Sequence, residues 1–538
     1  MNAPAQEARD ASAAITSRAG TVAVGTLGSR VLGAVRDAVI AATFSVAQTD
    51  AFIVAWTIPN ALRRLLGEGA ISAAFVPIFT DLDEQHGRER AVQFTRRFAG
   101  ALLLALVVVS IIGVLAAPAL TTFYAAGYRA DPDKFALTRD LTAMVFPYVL
   151  FAGMAALLTG LLNAVGAFLL PAFSPALLNV ALIAAPFTLV PVMVKLGYDS
   201  LLGLGVASLI GGALQVAVQI PAARKRKVWQ MPQLALRDPD VQRSMGLMAP
   251  LLLGTGVYQA NILLARLLAS FLPDGSQSYL YFAQRLVEIP QGMFAVAVAS
   301  AALPSLARLH SQGAHEEALR AMRHSVKLTS FVAVPCSAAL IALAVPTVSV
   351  IFGRGAFGAD EIEKTASALA WLSAGVLPIA AIQPVIRIYY AYGDTRAPVL
   401  ASALNLIVFG SASVLLVPQL SHAAIACGTS LAGCAQLAFL LLRLRPHVRT
   451  RGLSGVGMTD LASAVGKHAL ASLALAGVAH LIAAHGDWSR GGNDLRNLAI
   501  YASAVIASGL AFALASHLLK TEELAQVTGA LRRKTRRS

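Results

Sequence analysis

The sequence predicts an all-α integral membrane protein with about fourteen transmembrane helices. Of its 538 residues, 57% are hydrophobic and 13% are charged, and the mean hydropathy is +0.67. A soluble domain carries about 25% charged residues, and a spanning helix needs about 20 mostly apolar residues. Apolar stretches of that length recur at residues 16–43, 50–80, 98–120, 137–163, 171–194, 200–222, 243–271, 277–306, 324–352, 364–392, 396–418, 421–442, 460–484 and 497–519.

The basic residues predict the orientation of these spans. Short cytoplasmic loops accumulate Lys and Arg, and each basic cluster of this chain follows an even-numbered span. The clusters follow the second, sixth, eighth, twelfth and fourteenth spans, at residues 88–97, 224–227, 308–323, 443–451 and 532–537. The intervening loops hold few basic residues. Both termini are therefore expected in the cytoplasm.

Helix ends and helix-breaking residues repeat at a constant offset of 227 residues along the chain, which we call the repeat offset. The matched pairs are Phe44 and Phe271, Pro77 and Pro304, Gly166 and Gly393, and Pro171 and Pro398. The repeated unit holds six helices, an even number, so both copies begin on the same side of the membrane. This predicts two parallel six-helix repeats related by an axis along the membrane normal. The last two helices lie outside the repeat and are additional.

These features predict a division of the chain into five segments. They are an N-terminal six-helix lobe at 1–223, a basic cytoplasmic linker at 224–242, a second six-helix lobe at 243–443, two further helices at 444–519, and a basic cytoplasmic tail at 520–538. Two lobes in one chain form a complete pathway, so a monomer is expected.

Six arginines in four of the apolar stretches are candidates for positions within the membrane. An arginine at the centre of a spanning helix costs roughly 3 kcal/mol by insertion scales, so such residues face water or an anionic partner rather than lipid. The spans of both predicted lobes contribute them, which predicts a cationic central cavity. The arginines are Arg30, Arg36, Arg63, Arg64, Arg266 and Arg285.

Two of these arginines have an acidic residue on the same helical face. Glu68 lies four residues after Arg64, and Glu288 lies three residues after Arg285. Side chains at these spacings are neighbours on a helix. Each pair is therefore expected to interact, and at Arg285 the carboxylate would hold the guanidinium until an anion displaces it.

Other functional classes find little support. The excess of basic residues lies in short loops and the tail, where topology and anionic lipid headgroups explain it, so nucleic-acid binding is not expected. The three cysteines form no disulfide framework or metal spacing, and no nucleotide-binding or covalent-catalysis motif is present. We expect a transporter with no metal or cofactor, rather than an enzyme.

The arginines suit a phosphate-bearing substrate. A guanidinium presents a planar pair of donors that matches phosphate geometry and stays charged at physiological pH. Several converging arginines fit a diphosphate better than a single carboxylate, while an attached lipid chain could remain in hydrocarbon.

Long motifs resemble a known family. The stretch SRVLGAVRDAVIAATF from Ser29, TDAFIVAWTIPNALRRLLGEGAISAAFVPIF from Thr49 and YFAQRLVEIPQGMFAVAVASAALPSL from Tyr281 closely resemble segments of the MurJ (MviN) family of bacterial lipid II flippases, in the MOP exporter superfamily. The resemblance covers nearly the whole chain. It implies lipid II, undecaprenyl-diphosphate-MurNAc-pentapeptide-GlcNAc, as the substrate, a location in the bacterial inner membrane, and a part in peptidoglycan synthesis with cell-wall synthesis proteins as possible partners.

The resemblance also implies roles for individual residues. The family's substrate-binding positions match Ser29, Arg30, Arg36, Asn60, Arg63 and Arg285, to which the residue pattern adds Arg266; the acids that shape or gate the cavity match Asp37, Asp50, Glu68 and Glu288. Thr57 and Gln284 stand where some members have Lys and Asp. The acids of a sodium site described for some members are lacking here, so sodium coupling is not expected, and the energy source stays open.

Three alternative functions compete with lipid II transport. A flippase for another polyprenyl-linked glycan would use the same cavity chemistry. The substrates of a multidrug cation antiporter of the same superfamily would be repelled by a cationic cavity. A non-transporting scaffold for cell-wall synthases would not need Arg30, Arg36 or Arg285.

Overall fold

Helices make up all the regular structure in the described part of the chain. The computed structural model describes residue 25 and residues 28–66, 70–288, 315–450 and 455–526, with backbone alone at 249–259, 447, 449 and 450. The chain forms two compact units, Met1–Phe271 and Leu272–Ser538. The all-α class is confirmed, while the five predicted segments stay a prediction.

The first unit contains eleven helices among its described residues. Helix α8 packs on α10, α2 packs on α6, and α11 packs on α2, α3, α4 and α5. The helices are α1 (residues 28–43), α2 (Val46–Leu65), α3 (Ile71–His86), α4 (Arg88–Leu115), α5 (Ala117–Tyr124), α6 (Pro132–Val145), α7 (Tyr148–Ala164), α8 (Leu169–Ala184), α9 (Leu189–Lys195), α10 (Leu202–Lys225) and α11 (Pro239–Ser270).

The second unit contains nine helices in its described residues. Helices α17 and α18 pack together, as do α19 and α20, and α13 contacts both α16 and α19. The helices are α12 (described at 276–288), α13 (His315–Ala342), α14 (Ala344–Phe352), α15 (Ala359–Ala374), α16 (Val376–Ala391), α17 (Arg396–Leu420), α18 (Ala423–Thr450), α19 (Met458–Ala483) and α20 (Leu495–Leu518).

Ten segments within the described residues are long and apolar enough to cross a membrane. They correspond to the third to sixth and the ninth to fourteenth predicted spans. The other four predicted spans, which carry the arginines, each include residues that are not fully described, so the total of fourteen remains a prediction. The ten segments are Arg88–Leu115, Pro132–Ala164, Leu169–Phe187, Leu202–Lys225, His315–Ala342, Ala359–Ala391, Arg396–Leu420, Ala423–Pro446, Met458–Ala483 and Leu495–Leu518.

The repeat offset found in the sequence recurs in the helix boundaries. The last residues of α4 and α7 correspond at this offset to the last residues of α13 and α16. The first residues of α5, α6 and α8 correspond to those of α14, α15 and α17. Five boundaries therefore extend the correspondence, while the arrangement of the repeats in the membrane stays a prediction.

The turns after α7 and α16 have the same hydrogen-bond pattern. Gly166 and Gly393 have φ of 77° and 72°. The next amide in each turn, from Ala167 or Asp394, donates to a carbonyl five residues back, at 2.8 and 2.9 Å. Glycine adopts this left-handed conformation without a Cβ penalty. Each glycine therefore ends its helix and directs the chain into the next one.

Side-chain caps define several helix starts. Ser45 forms a capping box with Gln48 at the start of α2. Asp131 and Asp238 cap α6 and α11, each with a proline at the first helical position, and Asp494 caps α20. A cap satisfies amide groups that have no partner within the helix. These starts are thus set by local sequence.

Aromatic packing joins α3 to α4 inside the first unit. The rings of Phe75, Phe94 and Phe98 lie 5.3 to 5.8 Å apart, and all three residues are fully buried. In contrast, α17 and α20 leave large apolar side chains exposed, such as Leu415 and Leu510. An exposed apolar face of this kind is expected where a helix contacts lipid.

Candidate functional site

Helix α1 holds a buried ion pair between neighbouring residues. Nε and Nη2 of Arg36 both donate to Oδ1 of Asp37, at 2.9 and 2.6 Å. Arg36 is 8% exposed and Asp37 is 2% exposed. Because one carboxylate oxygen accepts from two donors on the same edge of the guanidinium, the plane of the Arg36 head group is fixed.

Asn179 of α8 completes the surroundings of this arginine. Its Oδ1 accepts from Nη1 of Arg36 at 3.0 Å, and its Nδ2 donates to the backbone carbonyl of Ser29 at 3.1 Å. The amide thus joins α8 to two turns of α1. Asn179 was not among the predicted site residues, because a contact between residues so far apart in the chain has no local signal.

The surroundings explain why Arg36 is tolerated inside the protein. Breaking a buried ion pair by removing one partner costs about 3 to 5 kcal/mol, whereas the intact pair adds little stability. A pair of this kind is poor evidence for a stabilising role. It is good evidence for an orienting role, because three guanidinium donors are directed by Asp37 and Asn179.

Arg63 of α2 lies in the same unit. Its Nε donates to Oδ1 of Asn60 at 3.0 Å, within the same helix. Arg63 and Arg36 both interact electrostatically with the hydroxyl of Tyr148, a fully buried residue of α7. The structure therefore brings two predicted substrate-binding arginines near one buried tyrosine, and Asn60 orients one of them.

The remaining predicted residues of the first unit are more scattered. Arg30 is exposed, while Ser29, Arg64 and Arg266 are half-buried. Ser29 takes part through its backbone carbonyl. Glu68, and with it the expected pairing to Arg64, lies outside the described residues.

Asp50 at the start of α2 forms a second buried ion pair. Its Oδ2 lies 3.2 Å from Nζ of Lys134, and the two side chains are 2% and 8% exposed. The Lys134 ammonium also lies 4.3 Å from the centre of the Tyr128 ring. This pair joins α2 to the first turn of α6. Lys134 precedes the predicted span at 137–163 and was not among the predicted site residues, because the two charges are far apart in the chain.

In the second unit, Arg285 of α12 has the partner that its spacing predicted. Nη1 donates to Oε2 of Glu288 at 2.8 Å, which confirms the expected pairing. Nη2 donates to the hydroxyl of Tyr281 at 2.9 Å, and the guanidinium lies 4.9 Å from the centre of that ring. The side chain is 26% exposed and thus less enclosed than that of Arg36.

The charged positions are not duplicated between the repeats. At the repeat offset, Arg36 corresponds to Leu263, Arg63 to Pro290, Arg266 to Val39 and Arg285 to Ile58. Equivalent helices carry charge in both repeats, but at different turns.

An all-α multi-pass membrane protein that holds buried, oriented charges in apolar helices belongs to the transporter class, because charges within membranes mark substrate or ion pathways. The family "Lipid II flippase MurJ" matches residues 40–490. The chain is 34% identical over 474 residues to the lipid II flippase MurJ of Burkholderia cenocepacia, covering 87% of this chain and 90% of the relative. The chain belongs to the MurJ family of lipid II flippases, and it is a multi-pass protein of the inner membrane.

Other comparisons agree with this family. A probable lipid II flippase MurJ of Bdellovibrio bacteriovorus is 31% identical over 509 residues, covering 94% of this chain and 95% of the relative. A solved structure of lipid II flippase MurJ, in an inward closed conformation, has a TM-score of 0.73 at 22% identity, covering 93% of this chain and 99% of that chain. An inward-facing multidrug resistance MATE family transporter of the MOP superfamily has a TM-score of 0.63 at 12% identity, covering 79% and 95%. The two structural likenesses support the fold.

Proposed function

We propose that this protein translocates lipid II from the cytoplasmic to the periplasmic leaflet of the inner membrane. Membership of the MurJ family supports this function over a multidrug antiporter. The observation that carries the proposal within the structure is the enclosed guanidinium of Arg36, fixed by Asp37 and Asn179. No covalent bond changes during such transport, so the protein supplies binding and conformational change rather than catalysis.

The substrate diphosphate would bind to the arginines. A guanidinium donates two parallel hydrogen bonds to a phosphate, and Arg36, Arg63 and Arg285 are each already oriented by a polar neighbour. Arg30, Arg266, Ser29 and Asn60 are the further proposed contacts. Orientation before binding lowers the entropy cost of ordering long side chains when the ligand arrives.

The acidic partners would act as exchangeable counterions. Asp37 and Glu288 hold Arg36 and Arg285 in the absence of substrate. A diphosphate carries more negative charge than a carboxylate and competes for the same donors. Release of substrate then restores the ion pairs, so the arginines are not left unpaired in the membrane.

The Asp50–Lys134 pair would stabilise the conformation in which the starts of α2 and α6 lie together. It connects the start of α2 to the start of α6 and is almost fully buried. Movement that separates the two helix ends must expose or break the pair. We assign Asp50 and Glu68 to gating on this basis and on the family resemblance.

The proposal includes the topology expected from the sequence. Two parallel six-helix repeats enclose a central cationic cavity, α19 and α20 are additional, and both termini are cytoplasmic. A monomer is sufficient, and cell-wall synthesis enzymes are the expected neighbours. The surrounding phospholipids are the other partner.

The test is lipid II translocation in cells depleted of their own flippase and complemented with variants of this chain. Arg36→Ala is expected to abolish translocation and to cause inner-leaflet lipid II to accumulate. Arg36→Lys keeps the charge but loses the planar geometry that Asp37 and Asn179 fix, so it is expected to be impaired.

Arg139→Ala is the matched control. Arg139 and the adjacent Asp140 form the same kind of neighbouring ion pair, but with side chains that are 42% and 57% exposed. This variant is expected to translocate normally. Normal translocation by both Arg36→Ala and Arg285→Ala would reject the proposed site. Accumulation of a different polyprenyl-linked glycan in depleted cells would instead reject lipid II as the substrate.

A further inference from the structure

The segment between α10 and α11 exposes large apolar side chains. Met231, Leu234 and Leu236 are 69%, 59% and 51% exposed, whereas Val228 and Trp229 of the same segment are buried in the core. We call residues 224–243 the linker strip. Its buried residues show that the strip lies against the protein, so the exposed apolar side chains all belong to an ordered surface.

The linker strip is attached to α4 at several points. The amide of Gln233 donates to the carbonyl of Arg96 at 2.9 Å. Asp238 pairs with Arg97 at 2.5 Å, and Asp240 pairs with Arg90 at 2.6 Å. These contacts fix the direction in which the exposed side chains of the strip point.

The attachment also places the strip at the edge of the apolar part of α4. A Cβ added to Gly100 would clash with the carbonyl oxygen of Gln233, so the strip crosses α4 at this glycine. Gly100 is within the first turn of the predicted span, which begins at residue 98. We therefore expect the exposed side chain of Leu234 at the level where hydrocarbon meets the lipid headgroups.

The strip carries an excess of exposed positive charge. Its two acidic residues, Asp238 and Asp240, are already paired with arginines of α4. Its basic residues are all exposed and form no ion pair with any described residue. They are Arg224, Lys225, Arg226, Lys227, Arg237 and Arg243.

Lys227 stands in an unusual conformation. Its φ is 57°, and the amide of the following residue, Val228, donates to the carbonyl of Ala223, five residues back. This is the helix-ending position that favours glycine, so a lysine is disfavoured there by backbone geometry. A lysine occupies this position despite that preference.

We propose that the linker strip is a docking surface for anionic phospholipids of the adjacent leaflet. Met231, Leu234 and Leu236 insert at the headgroup and acyl boundary, and the basic residues bind lipid phosphates. Interfacial binding of this kind combines buried apolar area with attraction to anionic lipid. The inference goes beyond lipid II transport, because a bulk membrane lipid is bound outside the proposed substrate site.

The experiment measures lipid binding to the full chain in a neutral detergent. Phosphatidylglycerol or phosphatidylcholine is titrated, bound lipid is counted by native mass spectrometry, and the melting temperature is followed in parallel. The protein is expected to bind and be stabilised by phosphatidylglycerol in preference to phosphatidylcholine. Inorganic phosphate at the same concentration is expected to give no stabilisation, because it lacks acyl chains.

Two variants test the two parts of the surface. Replacing Arg224, Lys225, Arg226 and Lys227 with Gln is expected to weaken phosphatidylglycerol binding about tenfold or more, given the attraction of each basic residue near an anionic surface. Met231→Ser with Leu234→Ser is expected to weaken binding at unchanged charge. All of these side chains are exposed, so the melting temperature without lipid should stay at the wild-type value.

The matched control removes four charges elsewhere. Arg532, Arg533, Lys534 and Arg536 in the tail are replaced with Gln, and phosphatidylglycerol binding is expected to persist. Equal loss of binding in the tail and linker variants would show a general charge effect and overturn the proposal. Unchanged binding in both linker variants would overturn it as well, and either result leaves the transport assay of Arg36 unaffected.

Discussion

Nε2 of His468 lies 3.2 Å from Oε2 of Glu523, and both residues are buried. Nδ1 of His468 lies 2.9 Å from Oγ of Ser330, which itself lies 2.8 Å from the carbonyl oxygen of Lys327. A carbonyl oxygen only accepts, so the serine hydroxyl donates to it and accepts from Nδ1. The contact with Glu523 then requires a proton on Nε2 or on the carboxylate.

This contact predicts a pH-dependent attachment of the segment after α20. Removal of the shared proton leaves two acceptors facing each other, so amide hydrogen exchange in residues 521–526 is expected to accelerate as pH rises, beyond the intrinsic increase. The titratable and charged groups around this contact are Arg320, Arg323, His324 and Lys327 of α13, Asp460 and Lys467 of α19, and Glu522.

Substitution of Glu523 distinguishes protection that depends on the shared proton from protection that depends on burial alone. Glu523→Gln can donate from its amide to Nε2 of His468 without a titrating proton, so protection should become independent of pH. Glu523→Ala should lose protection at every pH, and the exposed Glu522→Gln should match the wild type. A pH response in Glu523→Gln equal to that of the wild type would disprove the shared proton.

Asp238 predicts a response to acid at the linker. Burial opposes ionisation, but the hydrogen bond from Arg97 and the amides of Val241 and Asp240 outweigh it, and the pKa of Asp238 lies below its usual 3.8. A lowered pKa stabilises the fold above the usual pKa and ceases to do so as pH falls through the folded-state value. Asp238→Asn keeps the cap but loses the ion pair.

The two substitutions of Asp238 should differ in size. Asp238→Asn should cost about 1 kcal/mol or less, because the pair is partly exposed. Asp238→Ala should cost about 1 kcal/mol more through loss of the helix cap. Thermal unfolding across acidic pH measures both, and the wild-type advantage over Asp238→Asn should vanish below the folded-state pKa. An advantage that persists there would contradict this assignment.

The buried pair of Asp50 and Lys134 predicts strong coupling. Asp50→Asn or Lys134→Met alone should destabilise the protein by about 3 to 5 kcal/mol, because each leaves one buried charge without its partner. The double variant should recover most of that loss. A double-mutant cycle from thermal unfolding gives the coupling energy, and additive effects would show that the two charges do not depend on each other.

Replacing the glycines that end α7 and α16 is expected to lower stability through backbone strain alone, without a steric clash. A Cβ at Gly166 or Gly393 would meet no atom within 4 Å. Alanine at either position should still cost about 1 to 2 kcal/mol, because the left-handed conformation is strained for it. Gly509→Ala in α20 also has open space but helical geometry, and should stabilise by about 0.5 to 1 kcal/mol. Equal effects on unfolding at all three positions would refute this.

Local features of the sequence were sufficient to predict much of the fold and one ion pair of the candidate site. Apolar length predicted ten spans, and the spacing of three residues predicted the Arg285–Glu288 pair. Contacts between distant residues were missed, because no local pattern relates Arg36 to Asn179 or Asp50 to Lys134. The third and fifth spans were each predicted as one continuous helix. The structure instead breaks each of them near its end, where the short helices α5 and α9 follow.

The packing of α11 has a practical consequence for anyone expressing the protein in two pieces. The compact units meet in the chain at Phe271 and Leu272, and α11 contacts α2, α3, α4 and α5 of the first unit. A cut at residue 223, where the first predicted lobe ends, would remove α11 from those helices. Fragments divided after Phe271, which is 65% exposed, should each keep their own core and are the better candidates for co-expression.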